Sequence, residues 1–504
     1  MILRVLSLVV AVWGFGVRAE ADDERWMVVL LDGKKIGSAV ERRAVGAEGN
    51  LTTSVEMRLE IGRMGEPVRI VMGTEFIEAK DHTPLRMSST QEMGASRVVE
   101  RYSFNRGVAG DEVIRTTESQ GRSTAERRDW PGGEWLTPGA ARARVAELLG
   151  SGSREFSVMS IDPSIGLEPV VASYRVLGRE DIEVLGKIVP SVRWSVSLSA
   201  MPGVESTEHV DPRGNPLRSV IELGGLTLTL LSADKEVALS EFEVPELMAK
   251  TLISPTGNVI ERPRGVRGGT FVLSIAGDDG AAFGDRREVP EVGAQRVTRV
   301  EGGMVRVIVE AGRSSSARED VGERAYREAS TMIDSRDPEI AAFVEAALGG
   351  VAAPARRKAE VLRRAVSRHV EAVDLGVGFA TASEVVRTRR GDCSEFGVLL
   401  AAGLRAAGIP ARVVTGLVYV ERMGDQRGVF GYHVWTQAMI EDEAGGPVWI
   451  DLDAAIPAEE VGGFDATHIA LGTGSFSAED TGVSLVGIVG LFGKLRIEVE
   501  DVRH

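Results

Sequence analysis

The sequence predicts a multidomain chain, with a β-rich N-terminal region followed by a C-terminal α+β region. Its 504 residues exceed what one hydrophobic core usually serves. Up to about residue 330, short apolar runs alternate with turn residues, a pattern typical of strands. Beyond residue 330, apolar residues recur at helical spacing, and strand-like runs return from residue 411.

The first 330 residues carry strands but no motif that indicates a role. Turn signals such as Asp32-Gly33 separate the runs, and short connections between strands predict antiparallel pairing. One helix is expected over 138–149, where Ala, Arg and Leu recur at helical spacing. We place a β-rich domain of unknown role over 20–248 and a smaller β-rich module or linker over 249–330.

The first 19 residues have the pattern of a secretory signal peptide. A short positively charged start precedes the apolar run 5–13, and the small residue Ala19 ends the segment. We place cleavage after Ala19. The alternative is an uncleaved anchor, but the apolar run is shorter than the ~20 residues that span a bilayer. The mature protein is therefore expected to be exported, to the periplasm or the cell exterior, without a membrane span.

Charge and composition argue against several classes of function. With 59 Lys and Arg against 74 Asp and Glu, the net charge is −15, which disfavours a nucleic-acid partner. There are no paired cysteines and no His-x-x-x-His spacing that would predict a metal site. A phosphate-binding loop of the P-loop type is also absent from the sequence. No cofactor is expected.

The segment 331–504 has the helix signals of a separate domain. Asp337-Pro338 is a helix start, with Asp as the cap and Pro in the first turn. A second helix is expected over 355–370, and Thr381 to Glu384 has the form of a capping box that opens a third. A fourth begins at Cys393 and shows one apolar stripe. The expected strands then follow over 411–420, 432–440, 448–452 and 495–499.

Cys393 is the one cysteine of the chain. Unsatisfied backbone N–H groups at a helix start favour a thiolate over a thiol, and they can also hold an oxyanion. We expect Gly391 to allow a tight turn before the thiol, and Asp392 either to cap the helix or to lie in solvent. The alternative for Cys393 is a small buried apolar residue, but the thiol precedes the apolar stripe of its helix.

A histidine and two aspartates follow in an order that suits nucleophilic catalysis. His433 lies on a predicted strand, where residues 433, 435 and 437 face one way. Such a histidine can also be merely structural, and His468 is the one rival for its role. Asp451 and Asp453 share a face of the next strand, and periodicity does not choose between them as the partner of the imidazole.

Four blocks in this order resemble the core of the transglutaminase-like superfamily. They are Arg390-Gly391-Asp392-Cys393-Ser394-Glu395-Phe396, residues 404–416 around Ile409-Pro410-Ala411-Arg412, His433-Val434-Trp435, and Trp449-Ile450-Asp451-Leu452-Asp453. The resemblance implies a papain-like α+β core. It also implies Cys393 as nucleophile, His433 as base, Asp453 as the third member of a triad, and a structural Arg412. Ala454-Ala455 replaces the family's usual Pro-Thr, so Asp451 stays an alternative.

The resemblance further implies an exported thiol enzyme that acts on protein or peptide amide bonds through a thioester intermediate. Hydrolysis is favoured over transamidation, and a cell-envelope peptide is one expected substrate. The alternative function is a non-catalytic envelope-binding or scaffold protein that keeps the fold. Against this alternative, Cys393, His433 and Asp453 are all present.

Overall fold

A computed structural model describes most of the chain. The described residues are 23–504 except for 47, 64–65, 94–95, 108–109, 120–121, 202–203, 212–213, 224, 247–250, 277–288, 301–302, 351, 374–379, 460–462 and 477–490. The predicted signal peptide lies outside them. The chain divides into two compact units, one up to residue 62 with 67–246, the other 63–66 with 247–504.

The first unit is dominated by one sheet, which confirms the predicted β-rich N-terminal region. Its strands are β1 (Asp23–Leu31), β2 (Lys34–Val45), β3 (Leu51–Arg63), β4 (Glu66–Glu78), β5 (Pro84–Met93), β6 (Ser96–Asn105), β7 (Glu112–Ser119), β8 (Arg122–Asp129), β9 (Glu155–Ser160), β10 (Val170–Val184), β11 (Lys187–Leu198), β12 (Glu205–Val210), β13 (Pro216–Leu223) and β14 (Leu226–Ala233). The strand order runs from β8 down to β1 and then from β14 down to β9, fourteen strands among the described residues.

Strands that are consecutive in the chain are hydrogen-bonded neighbours in this sheet, except for β8 and β9, which stand at opposite ends of the strand order. The first and last strands of the sheet in the chain, β1 and β14, pair with each other. Every pairing with a described register is antiparallel, as short connections predict. Side chains alternate between the two faces, so that Leu226, Leu228 and Leu230 of β14 are all buried. Helix α1 (Pro138–Gly150) begins after Thr137, whose side chain accepts a hydrogen bond from the N–H of Ala140. A short helix, α2 (Lys235–Ala238), follows β14.

The second unit contains a five-stranded sheet that joins distant parts of the chain. Its strands are β15 (Thr256–Gly257), β16 (Gly268–Ile275), β17 (Gln295–Arg299), β18 (Val305–Glu310) and the last strand β26 (Leu495–Arg503). Their order is β15-β26-β16-β18-β17. The last strand thus pairs with β16, inside the segment 249–330 that the sequence suggested as a module of its own. That predicted boundary at residue 330 stays a prediction.

A second five-stranded sheet carries the candidate site. Its strands are β19 (Ser315–Ser316), β22 (Ala411–Met423), β23 (Gln426–Glu441), β24 (Pro447–Leu452) and β25 (Ile469–Gly474), in the order β19-β24-β23-β22-β25, with every pair antiparallel. The helices of this region are α3 (Pro338–Leu348), α4 (Ala355–His369), α5 (Ala382–Thr388) and α6 (Cys393–Ala406). Two short strands, β20 (Ala372–Val373) and β21 (Arg390–Gly391), pair in parallel.

Helix α6 is the centre of this α+β arrangement. It contacts α3, α4 and α5 as well as strands β22 and β23. Residues 395–405 are consequently all buried, so burial extends beyond the one apolar stripe that the sequence shows. The helix and the sheet approach closely at Gly397, because a Cβ there would lie 3.1 Å from Cγ1 of Val434. The Thr436 hydroxyl also donates to the Gly397 carbonyl over 2.9 Å. This packing brings the start of α6 beside His433.

In the part of the chain that the structure describes, no helix is both long and apolar enough to cross a membrane.

Candidate active site

The helix start at Cys393 is built by a capping box. Asp392 is the N-cap residue, and its carboxylate accepts a hydrogen bond from the N–H of Ser394 over 2.8 Å. In return, the carboxyl of Glu395 accepts from the N–H of Asp392 over 2.9 Å. Asp392 is only 4% exposed, so it caps the helix and is not solvated.

The capping box changes which backbone groups can serve as an oxyanion site. Asp392 takes the N–H groups of Ser394 and Glu395, and its carbonyl takes that of Phe396. The N–H of Cys393 itself has no acceptor in the described part of the chain. Of the backbone N–H groups at the start of α6 that the sequence suggested for an oxyanion site, that of Cys393 is the one still available among the described residues. It lies at the end of the helix that carries partial positive charge.

Glu395 holds the backbone that precedes Cys393 in place. Its two carboxyl oxygens accept from the N–H groups of Asp392 and Ala380. Burial, with the negative Asp392 beside it, raises the pKa of Glu395 well above its usual range. Gly391 does not have a positive φ angle. Its role is a close approach, since a Cβ there would lie 2.3 Å from Cβ of Glu395. The expected reason, a tight turn, is wrong.

His433 lies between the thiol and a carboxylate. Its Nε2 is 2.9 Å from Oδ2 of Asp453, and Cys393 lies close enough to the imidazole to raise its pKa. Burial lowers the pKa of His433, but the charge and hydrogen bond of Asp453, together with Cys393, outweigh it and raise the pKa to about 9. Cys393 is partly exposed, whereas the His433 side chain is 10% exposed.

Asp453 lies at the first position after β24 and is held on several sides. Its N–H donates to the Gly463 carbonyl over 2.8 Å, and its own carbonyl accepts from Nη1 of Arg363 over 3.3 Å. Oδ1 accepts from the N–H of Ala455 over 2.8 Å. Burial alone would raise the pKa of Asp453, but His433 and His468 hold it well below its usual range. The carboxylate is ionised and fixed in place.

Asp451 belongs to a different set of contacts. Its Oδ1 accepts from Nε1 of Trp435 and Nε2 of Gln437, each over 2.8 Å, and its Oδ2 accepts from the N–H of Ala294 over 2.7 Å. Burial raises the pKa of Asp451. Of the two aspartates, Asp453 is the one at hydrogen-bond distance from His433. Asp451 fixes the indole that lies beside His433, at 6.2 Å between ring centroids.

His468, the rival for the role of His433, lies on the far side of Asp453. Its Nε2 is 3.2 Å from the same Oδ2 that contacts His433. His468 is 1% exposed, and its Nε2 faces Asp453. The ligand-type atoms of His433, Asp453 and His468 lie within 4.8 Å of one another. Because the carboxylate oxygen is within hydrogen-bond distance of both rings, we describe the three as a hydrogen-bonded chain and assign no metal.

Two buried arginines stabilise the elements that carry the site. Arg363 holds the backbone of Asp453 and also donates to the Ile456 carbonyl over 3.2 Å. No motif pointed to it in the sequence, although an Arg inside the apolar spacing of a helix is a signal worth testing. Arg412 donates to Oε1 of Gln437 over 2.8 Å and lies 4.2 Å from the Trp449 ring centroid. It thus supports the sheet and not the thiol, in agreement with the structural role expected for it.

Residues 342–454 match the family model of the transglutaminase-like superfamily. No curated protein matches the chain. Among solved structures, a β-barrel-like protein of domain of unknown function DUF1849 from Brucella abortus shares 10% identity over 42% of this chain and 96% of its own, at a TM-score of 0.33. A candidate cysteine protease from Cytophaga hutchinsonii shares 16% identity over 47% and 82%, at 0.27. The periplasmic domain of TgpA from Pseudomonas aeruginosa shares 15% over 38% and 89%, at 0.23.

Proposed function

We propose, from the premise that residues 342–454 form a domain of the transglutaminase-like superfamily, that the protein is a thiol enzyme that cleaves amide bonds in proteins or peptides. Cys393 is the nucleophile, His433 the general acid and base, and Asp453 the residue that orients the imidazole. The observation that carries the proposal is the position of His433, which hydrogen-bonds to Asp453 and lies close enough to Cys393 for the thiol to affect its pKa.

The first half-reaction forms a thioester. The Cys393 thiolate attacks the carbonyl carbon of the amide, and the carbonyl oxygen becomes an oxyanion that the N–H of Cys393 can stabilise. The protonated His433 then gives its proton to the amide nitrogen, the C–N bond breaks, and the amine leaves. The acyl group stays on the sulfur as a thioester, and His433 is left neutral.

The second half-reaction releases the acyl group. Neutral His433 takes a proton from water while the water oxygen attacks the thioester carbon. The C–S bond breaks, the product leaves as a carboxylic acid, and the thiolate–imidazolium pair is restored. An amine in place of water would give a new amide bond by the same steps. We propose hydrolysis as the main reaction, since water is the acceptor that is always present.

We propose that the enzyme acts after export. The N-terminal sequence has the pattern of a secretory signal, which favours an exported enzyme. A lone cysteine is also favourable there, because the chain has no second thiol with which Cys393 could form an internal disulfide. Exported proteins and the peptides of the cell envelope are therefore the proposed substrates.

The test is a mass-spectrometric search for products. The mature protein and its Cys393→Ala variant are incubated with peptidoglycan fragments and with exported proteins in water enriched in oxygen-18. Hydrolysis predicts new carboxyl groups that carry the heavy isotope with the wild type alone. New amide bonds with loss of ammonia would show transamidation. Identical product patterns for the two proteins would contradict the proposal and favour the non-catalytic scaffold.

A further inference from the structure

We infer that His468 is a positioning residue that remains a doubly protonated imidazolium and shares the Asp453 carboxylate with His433. The inference rests on the proposed function of Cys393 and His433, since it concerns how their partner carboxylate is held. It also gives a role to a histidine that the sequence offered only as a rival for the catalytic base.

Two oxygen atoms that can only accept hydrogen bonds face the two nitrogens of the His468 ring. Nδ1 of His468 lies 3.0 Å from the backbone carbonyl oxygen of Asp465, which can only accept a hydrogen bond. Nε2 lies 3.2 Å from Oδ2 of Asp453, an ionised carboxylate that also only accepts. A neutral imidazole has one N–H and would leave a lone pair against one of these oxygens. Both contacts are satisfied only when both nitrogens carry protons.

Charged groups of both signs surround the His468 ring. Asp453 contacts Nε2, Oδ1 of Asp465 lies 3.5 Å from Nδ1, and the buried Asp451 is close enough for its pKa to be affected by His468. The positive groups are His433, at 5.6 Å between ring centroids, and Arg264, which pairs with the carboxylate of Asp465. Opposite charges therefore alternate from His433 through Asp453, His468 and Asp465 to Arg264.

Aromatic rings complete the surroundings. The Phe464 ring lies 4.5 Å from the His468 ring between centroids, and the Trp435 ring 5.2 Å away. Aromatic faces favour a cation over a neutral ring and keep water out. Burial lowers the pKa of His468, but Asp465 and Asp453 outweigh it and raise the pKa to about 9. The protonated form thus agrees with both the contacts and the electrostatics.

His433 and His468 share one oxygen of Asp453, and this sharing affects the pKa of His433. Oδ2 of Asp453 accepts from both imidazoles, while Oδ1 is taken by the N–H of Ala455. The charge of Asp453 is divided between two cations, so it stabilises the protonated His433 less than it would alone. His433 therefore releases its proton to a leaving amine more readily, and the carboxylate cannot rotate away from it.

Nitrogen-15 histidine labelling tests the charge state directly. The folded mature protein is treated with a chelator, and the ring N–H signals are recorded at about pH 7.5. His468 is assigned by comparison with the His468→Asn variant. Two ring N–H protons on His468 are expected, and a single N–H at Nδ1 would overturn the inference. This readout does not depend on Cys393, so an inert thiol beside a doubly protonated His468 would contradict the proposed function alone.

Two neutral variants test the effect on His433. His468→Asn can replace the donor at Nδ1, and His468→Gln can replace the donor at Nε2. The alkaline inflection in the pH profile of Cys393 alkylation, where His433 loses its proton, should rise by about one pH unit in both variants. His369→Asn on α4 is the control and should leave the profile unchanged, because His369 bonds to the Val386 carbonyl instead. The charge-sharing role would be overturned if the alkaline inflection stayed unchanged in both variants. It would also be overturned if the inflection rose in His468→Asn but not in His468→Gln.

Discussion

The Nε2 atom of His433 lies 2.9 Å from Oδ2 of Asp453, the first residue beyond strand β24. Within that strand, Asp451 is paired with Gln437 and bonds to its side chain. The strand ends at Leu452, so the chain can turn at Asp453 towards the imidazole, while Asp451 stays in the ladder. The position of a strand end therefore decides which of two carboxylates faces the histidine.

The two aspartates should respond differently to replacement by alanine. Asp453→Ala removes the partner of His433, and we expect the alkylation rate of Cys393 at about pH 6.5 to fall at least tenfold, as for loss of an orienting carboxylate. Asp451→Ala leaves the donors of Trp435, Gln437 and Ala294 unpaired, at a cost of about 3 kcal/mol in stability. Alkylation kinetics and thermal unfolding of both variants distinguish the two effects. A larger loss of reactivity in Asp451→Ala would move the third role to that residue.

The stability of the second unit should depend on pH through His468. Its pKa in the folded protein is raised from 6.5 to about 9. A raised pKa adds stability that is fully present below about pH 6.5 and is lost as the pH rises through about 9, here of the order of 3 kcal/mol. Thermal unfolding of the wild type and of His468→Asn should therefore differ most near pH 6. A difference that stays constant from pH 6 to 10 would show that His468 does not titrate as described.

Gly416 and Gly403 form a matched pair for a test of packing. A Cβ at Gly416 would lie 2.2 Å from the Ile469 carbonyl oxygen and 2.7 Å from the Trp435 ring. Gly416→Ala should therefore destabilise the protein by about 1–3 kcal/mol and disturb the indole beside His433. At Gly403, within α6, the nearest atom to a Cβ is Cγ2 of Val344 at 3.7 Å.

Gly403→Ala should accordingly be neutral or stabilising by up to about 1 kcal/mol, because Ala has the higher helix propensity. Urea unfolding of both variants supplies the comparison. Equal stabilities would contradict the close approach of β22 to Trp435.

Local signals in the sequence located several elements of the C-terminal region. The Asp337-Pro338 pair is a helix start in the structure, where Asp337 accepts a hydrogen bond from the N–H of Glu339 over 2.8 Å. Thr381 caps α5, and α6 begins at Cys393. These features depend on backbone groups within a few residues of each other, so the sequence carries them locally.

The contacts missing from the sequence-based account are long-range. His468 contacts Asp453 across 15 residues of the chain, and no periodicity encodes that contact. Arg363 reaches Asp453 from 90 residues away along the chain. Strand β26 pairs with β16 across more than half of the second unit. Tertiary packing decides such contacts, and a single sequence contains no spacing that reveals them.

The reactivity of Cys393 tests the central claim most directly. The chain has one cysteine, so the labelling rate with iodoacetamide refers to one site. At about pH 6.5 an ordinary thiol is almost wholly protonated, whereas a thiol paired with an imidazolium at a helix start reacts as the thiolate. We expect the folded mature protein to label at least about tenfold faster than a free thiol peptide, and His433→Ala to lose that advantage. A wild-type rate at or below that of the free thiol would contradict the account.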